Sequence, residues 1–315
     1  MDYKIYCMEF SGAVHFGEGN LESSDYTFHA DTLFSALCIE ALKHGNDELE
    51  RLVNLTKNNR LLFSDAFPYK KVGRETRLFI PKPNVLIDSE DTGNSSQKKK
   101  YKKLKYIDAG FLVDFLSGKY DIENHEKDLK EMGNHEVRTI VNVRKRDEEG
   151  NPRPYRVGSY NFNEGYGLYI IIGTDGGDAE ELFDDLFGGL SLIGIGGERS
   201  SGYGRFDYYL EKMPENLAKG LRGDYNKYLS LSVSLPVDSE LDETINNASY
   251  QLIKRSGFVA SSDYSDTPVR KCDLYVFAPG SVFTRKFSGD IFDVSKEGNH
   301  PVYRYAKAML LGVGA

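Results

Sequence analysis

The sequence predicts an α+β protein built from antiparallel sheets. Leu229, Leu231, Val233 and Leu235 alternate with Ser230, Ser232 and Ser234, the two-residue period of a strand. Residues 31–42 and 178–187 instead carry apolar side chains at helical spacing. Strand-like segments outnumber helical ones, which argues for α+β layers over a doubly wound parallel sheet. The 315 residues suggest two domains, or one domain with large insertions.

The elements follow in order. Residues 3–10 (YKIYCMEF) read as a strand, and 15–19 as a loop. A helix follows, capped by Asp31, with Leu33, Phe34, Leu37, Ala41 and Leu42 on one stripe and Gly45 at its end. A second short helix starts at Asp47, with Glu50 as its capping-box partner. From about 58 to 160, short apolar pieces alternate with Pro, Gly and charge, the texture of insertions on a smaller fold. That region holds a lysine run at 98–105 and a hairpin with arms at 137–146 and 154–162 around a turn at 147–151. Such a lysine run serves either a ligand or merely a solvated surface. Residues 168–172 (LYIII) form a buried strand. Asp178 caps a helix that buries Leu182, Phe183, Leu186 and Phe187 and stops at Gly188-Gly189. A strand at 203–210 follows, then a polar linker at 211–226. Further strands are expected at 249–259, 272–278, 281–287 and 302–311. The division is therefore 1–215, with insertions at about 58–160, and 225–315.

Composition excludes several classes. Lys plus Arg is 40 and Asp plus Glu is 48, a net charge of −8, so the domain-wide basic field usual for nucleic-acid binding is absent, which argues against nucleic acid without excluding it. No apolar run approaches the roughly 20 residues that span a bilayer, and no membrane association is expected. The start, Met1-Asp2-Tyr3-Lys4, shows no secretory signal. Cys7, Cys38 and Cys272 lie far apart without metal-ligand spacing, so a reducing cytoplasmic setting with no metal is expected.

The most informative segment is 194–206 (GIGGERSSGYGRF), with five glycines, two serines and two arginines. Glycine lets backbone N–H groups approach a ligand, hydroxyls and N–H groups bind phosphate oxygens, and arginine binds them in bidentate fashion. It is not a phosphate-binding Walker loop, because Tyr203 stands where lysine should follow Gly202. It is not a dinucleotide fingerprint, because Arg199 replaces the third glycine. The bland alternative is a long helix-to-strand connection, which needs one or two glycines and no flanking arginines.

This segment resembles the signature glycine-rich loop of the RAMP superfamily of CRISPR proteins. In those proteins the loop joins the last helix and last strand of a ferredoxin-like domain. Residues 29–37 (HADTLFSAL), 64–68 (SDAFP), 80–83 (IPKP) and 301–305 (PVYRY) are similar to one branch. That branch is the Csm-type subunit of type III-A interference complexes that holds the 5′ repeat-derived handle of crRNA. The lysine run has no place in the family pattern.

The resemblance implies two ferredoxin-like, RRM-like domains with large insertions in the first, and RNA as ligand. It implies a subunit that caps one end of the complex, binds without cutting and needs no cofactor. Its implied partners are the crRNA 5′ handle, a large cyclase-bearing subunit and a backbone RAMP subunit. The hairpin would be the family's thumb, with Arg138, Thr139, Asn142, Arg144 and Tyr155 on it. Arg199 and Arg205 would contact phosphate, assisted by the backbone of Gly196 and Gly197 and the hydroxyls of Ser200 and Ser201. Tyr203 would stack on a base or pack under the loop, and His15 would reach RNA from the neighbouring loop. The rival is a metal-independent endoribonuclease of the same superfamily, processing pre-crRNA. It would use a histidine near the first helix, His15 or His29, as general base. The commoner fate of His29 is a hydrogen-bonded element of the helix start.

Overall fold

Apolar residues at 168–172 form the middle of a sheet that is covered on both faces. In a computed structural model the described residues are 1–17, 19–85, 100–146, 150, 152–261, 264–265, 267–296 and 298–314, with backbone alone for 124–126, 142–146 and 152. Strand β1 (Asp2–Phe10) leads to the short pair β2 (Phe16–Gly17) and β3 (Ser24–Asp25), then to helices α1 (Ala30–Leu42) and α2 (Asn46–Lys57). Next come β4 (Leu61–Phe63), β5 (Phe67–Val72), β6 (Glu75–Pro81), β7 (Tyr106–Asp108), α3 (Leu112–Leu116) and α4 (Ile122–Lys130). A long antiparallel hairpin, β8 (Gly133–Arg146) and β9 (Pro152–Phe162), precedes β10 (Tyr166–Thr174), α5 (Asp178–Ile193) and β11 (Phe206–Glu211).

The main sheet has the order β11–β1–β10–β5–β6–β7, with β4 also paired to the end of β10, and all these neighbours are antiparallel. Strand alternation sends Tyr6, Met8, Leu168, Ile170 and Ile172 into one core with α1, α2 and α5. Ile5, Cys7, Tyr169 and Ile171 enter a second core with Ile107, Phe115, Leu221, Leu229, Leu231 and Leu311. Each such side chain contributes about 1.5–3 kcal/mol of burial. The region read as insertions thus supplies β4 to β7 to the main sheet.

The rest of the chain comprises α6 (Glu215–Arg222), β12 (Tyr228–Ser230), α7 (Asp238–Ile245), β13 (Leu252–Arg255), β14 (Leu274–Phe277), β15 (Val282–Phe283), β16 (Gly289–Asp293), β17 (Tyr303–Lys307) and β18 (Leu310–Gly312). These strands form the small antiparallel sheets β15–β12–β18, β13–β14 and β16–β17.

Several local expectations are corrected. The segment 211–226 is not a plain linker, because α6 buries Leu217 and Leu221 there. The alternation at 229–235 is not inside-to-outside. Ser230, Ser232 and Ser234 are as buried as the leucines, and only Tyr228–Ser230 joins a ladder. The Ser232 hydroxyl donates to Lys307 O and accepts from Met309 N, so the serines serve as internal backbone partners. Helix α5 runs through Gly188-Gly189 to Ile193. A Cβ on Gly189 would lie 2.4 Å from the Glu40 carboxylate, so this glycine permits close approach of α1 instead of ending α5. Neither Asp31 nor Asp178 caps its helix, since His29 and Gly177 precede those helices without side-chain caps. Helix α2 begins at Asn46, not after an Asp47 cap.

Two buried carboxylates join α1 to the distal half of the chain. Asp65 accepts from Ala30 N (2.9 Å), Val233 N (2.9 Å) and His29 Nδ1 (2.5 Å), so it caps α1 from another strand's end. Asp31 receives a two-pronged contact from Arg255 (2.8 and 2.9 Å) and a third bond from Arg304 (2.6 Å). Burial opposes ionisation of Asp31, but Arg255 and then Arg304 outweigh it and hold the carboxyl well below its ordinary value. A folded-state value below the unfolded one stabilises fully above the ordinary carboxylate range, near pH ~3.9, and the stabilisation is lost as pH falls through the lower folded value.

Asp31→Asn keeps the shape and leaves the buried Arg304 and half-buried Arg255 guanidiniums without a counter-charge. We expect it to cost about 3–5 kcal/mol in urea unfolding at neutral pH. The wild type should also lose more stability than the variant on acidification below pH ~4. Identical pH dependence in the two proteins would show that Asp31 is not held as a carboxylate.

Candidate nucleic-acid interface

Helix α5 ends because Gly194 turns to φ +87°, and the loop that follows is closed at its neck by backbone contacts. Ile195 N donates to Gly204 O (3.0 Å), and Gly204 N donates to Ala13 O (2.9 Å). A Cβ on Gly204 would stand 2.0 Å from Ile195 O, and Gly204 also has φ +74°. Beyond the neck, Gly197 N donates to His15 O (2.8 Å), and Arg199 to Ser201 make a single 3-10 turn.

Three segments meet here: the loop 11–15, the glycine loop and the hairpin base. His15 is buried beneath them. Its Nδ1 donates to Gly158 O on β9 (2.6 Å), and its ring lies where a Cβ on Gly197 would be, 2.6 Å from Cδ2. His15 therefore pins hairpin to loop. Tyr203 packs under the loop with Ala13 and Val157, against Ile140 and Tyr155. Gly158 is needed where the hairpin passes residue 22, since a Cβ would sit 2.1 Å from Glu22 O.

The remaining expected residues fall into two groups. Arg199 is half-exposed and Arg205 exposed, and among the described residues neither guanidinium has a hydrogen-bond or ion-pair partner. Ser200 and Ser201 are exposed with hydroxyls likewise unpartnered, and Gly196 N donates to no protein acceptor among the described residues. Gly197 differs from expectation, because its N–H is already committed to His15 O. Arg138 is held by Glu136 through paired bonds of 2.9 and 3.0 Å. That pair is neutral overall, so Arg138 is a weaker phosphate ligand than an unpaired arginine. Thr139 is exposed on the opposite hairpin face from Arg138 by strand alternation. The side chains of Asn142 and Arg144 and the turn residues 147–149 and 151 lie outside the described residues.

Sequence reasoning passed over Glu136, Arg153, Arg156 and Glu198. Glu136 was legible as a same-face neighbour of Arg138 two residues away. Arg153 and Arg156 are exposed on β9 with no partner among the described residues. Of the lysine run, residues 98–99 lie outside the described residues, Lys100 pairs with Glu123 (2.6 Å) and Lys105 lies over the Tyr26 ring (5.6 Å).

The loop glycines differ in kind, which gives a direct check. At Gly202, φ is +87° and a Cβ would meet nothing within 4 Å. We expect Gly202→Ala to cost about 1–2 kcal/mol, the left-handed penalty alone. Gly204→Ala adds the backbone clash and should cost distinctly more in urea unfolding. Equal costs would refute the closed neck.

Comparison with known proteins bears on the family and the fold. A model of the CRISPR Csm4 C-terminal domain matches residues 223–313. The chain is 40% identical over 316 aligned residues to the CRISPR system Cms protein Csm4 of Mycobacterium tuberculosis, covering 99% of this chain and 98% of that one. It is 35% identical over 318 residues to the Streptococcus thermophilus protein of the same name, covering 98% of each. Among solved structures, a chain from the Csm3–Csm4 subcomplex of the type III-A CRISPR-Cas interference complex superposes with a TM-score of 0.63 at 19% identity, over 99% of this chain and 100% of that one. A chain from a Csm1–Csm4 cassette in complex with AMPPNP gives 0.61 at 18% identity, over 99% and 98%. At that identity the superpositions speak for the fold, while near-full-length identity to the curated proteins speaks for the family: the chain belongs to the Csm4 family of CRISPR proteins.

Proposed function

We propose that this chain is a non-catalytic RNA-binding subunit of a type III-A CRISPR effector, which grips the crRNA 5′ handle and caps one end of the complex. The observation that carries the reading is the pair of unpartnered guanidiniums, Arg199 and Arg205, on a loop that also offers free hydroxyls and the Gly196 N–H. Cations, hydroxyls and inward N–H groups on one loop suit a phosphodiester backbone. The order β11–β1–β10–β5, with α1 and α5 as crossovers, reads as a ferredoxin-like βαββαβ unit. The hairpin β8–β9 then serves as its thumb. An RRM places RNA on sheet aromatics, but both faces of this sheet are filled by the chain's own side chains. RNA is therefore assigned to the loop and hairpin. The partners are read as a large cyclase-bearing subunit and a backbone RAMP subunit, following the complexes named for the structural relatives.

Non-catalysis is supported at His15, whose ring is buried beneath the loop, while His29 keeps Nε2 available and is the residue that the cleavage test addresses. His15 Nδ1 is committed to a carbonyl beneath the loop, and His29 Nδ1 to Asp65 at the start of α1. Burial pushes the Cys7 thiol up to about 12, far from a reactive thiolate. The described residues contain no group of three or more His, Cys, Asp or Glu able to hold a metal ion. No described helix is long and apolar enough to cross a membrane.

If each free arginine neutralises one phosphate, binding releases counterions. Arg199→Ala and Arg205→Ala should each flatten the slope of log affinity against log salt by roughly 0.7 for a single strand. Wild-type affinity and slope in both variants would remove the loop from the interface. The purified chain should also leave repeat RNA intact. Cleavage at a defined position that disappears in His29→Ala would establish the endoribonuclease instead.

A further inference from the structure

Among the described residues three non-glycines have positive φ: Asn59, Glu198 and Asn247. Asparagine tolerates the left-handed region because its short side chain bonds locally. Glutamate has no such advantage, yet Glu198 holds φ +55° at the centre of the glycine loop. Its neighbours Gly196, Gly202 and Gly204 use glycine for φ values of +99°, +87° and +74°. Glycine at 198 would relieve the strain and still perform the backbone task of that position. That task is to accept from Ser201 N (2.9 Å) and Tyr203 N (3.4 Å) through its carbonyl.

The side chain does nothing within the fold that would explain the strain. Glu198 is half-exposed, and its carboxylate has no hydrogen-bond or ion-pair partner among the described residues. It adjoins Arg199 and shares the loop with Arg205, the two cations assigned to phosphate. A carboxylate in that position repels phosphate, so it weakens simple backbone binding. A strained, unpaired, like-charged group inside a binding loop points to a ligand group that only this side chain meets.

We propose that Glu198 is a specificity-determining residue that reads a guanine base. This rests on the RNA-binding reading above. An ionised carboxylate is acceptor-only with two oxygens in one plane. Guanine is the one standard RNA base whose pairing edge presents two adjacent N–H donors, on N1 and N2. Adenine, cytosine and uracil each present one donor nitrogen beside an acceptor. A single strand gripped at its phosphates by Arg199 and Arg205 has unstacked bases whose pairing edges are accessible. The two side-chain types then divide the work: the arginines hold any strand, and Glu198 selects which nucleotide sits between them.

The test uses the full-length chain and two labelled single-stranded octamers, alternating guanosine–adenosine and alternating inosine–adenosine. Inosine lacks the N2 amino group and keeps everything else. We expect the wild type to bind the guanosine octamer about tenfold more tightly, the size of one hydrogen bond to a charged group. Glu198→Gly should bind the two octamers equally, with an unfolding midpoint no lower than the wild type. A retained guanosine preference in Glu198→Gly overturns the proposal, because another group then reads the base. Equal binding of both octamers by the wild type overturns it while leaving RNA binding intact. Failure of the wild type to bind either octamer removes the RNA-binding reading, and this inference with it.

Discussion

The fold depends on two carboxylates that leave water to serve several partners at once. Asp65 binds the first turn of α1, the His29 side chain and the backbone of Val233. Asp31, in the first turn of α1, binds arginines from β13 and β17. A buried carboxylate is tolerated only when its lone pairs are filled, and here the filling groups come from segments more than 150 residues apart in sequence. The geometry of one helix start is thus coupled to the placement of the last strands. Further bonds repeat the link. The Tyr305 hydroxyl bridges Phe63 N and O, and the buried Lys307 ammonium donates to Lys57 O, Ser288 Oγ and Gly289 O. A misplaced distal half would leave all these groups unpaired, so the polar contacts specify the arrangement while apolar burial stabilises it.

That frame fixes the interface. Helix α5 packs on α1 with Gly189 against Glu40, and the direction of α5 sets where the glycine loop emerges. The loop is then held from below by His15 and from the side by Tyr203 and Val157. What is left exposed at its tip is Arg199, Ser200, Ser201 and Gly202. A rigid neck carrying a polar tip lowers the ordering cost of binding a flexible strand.

Much of this was legible beforehand, and the failures share a cause. Apolar periods located α1 and α5, because burial on one face leaves a period in the sequence, and aromatic or continuous apolar runs located β1 and β10. Glycine content located the loop. The motifs around His29, Asp65 and Arg304 marked the family, and the structure shows that they meet in one polar cluster. No local pattern revealed this, since a hydrogen bond between residues 31 and 304 leaves no period. The same blindness explains the alternating serines, since nothing in the two-residue period showed that Ser232 meets Lys307 O and Met309 N or that Ser230 meets Ser232 O and the Ser234 hydroxyl. It explains Gly197, whose N–H was offered to a ligand before His15 O was known to lie beside it. It also explains Arg138, which looked free until Glu136 was seen to share its face of the hairpin.

Pairing also reconciles the acidic net charge with the proposed RNA-binding role. Net charge sums every ion, but a ligand meets only those without a partner. The chain carries −8, yet many of its arginines and lysines are tied to carboxylates elsewhere: Arg60 to Asp175 and Asp178, Arg77 to Asp128, Arg285 to Glu243, Lys286 to Asp224. Arg199 and Arg205 on the loop, and Arg153 and Arg156 on the hairpin, are not tied in this way. Beyond about 8–10 Å the surrounding charges are screened at physiological salt, so a phosphate at the loop responds to these few cations and hardly to the distant acidic surface. A local cationic site on an acidic protein favours a polyanion in one place and discourages it elsewhere. On the proposed RNA-binding role, the same charge distribution that argued against nucleic acid as a bulk property would restrict RNA to the loop and hairpin.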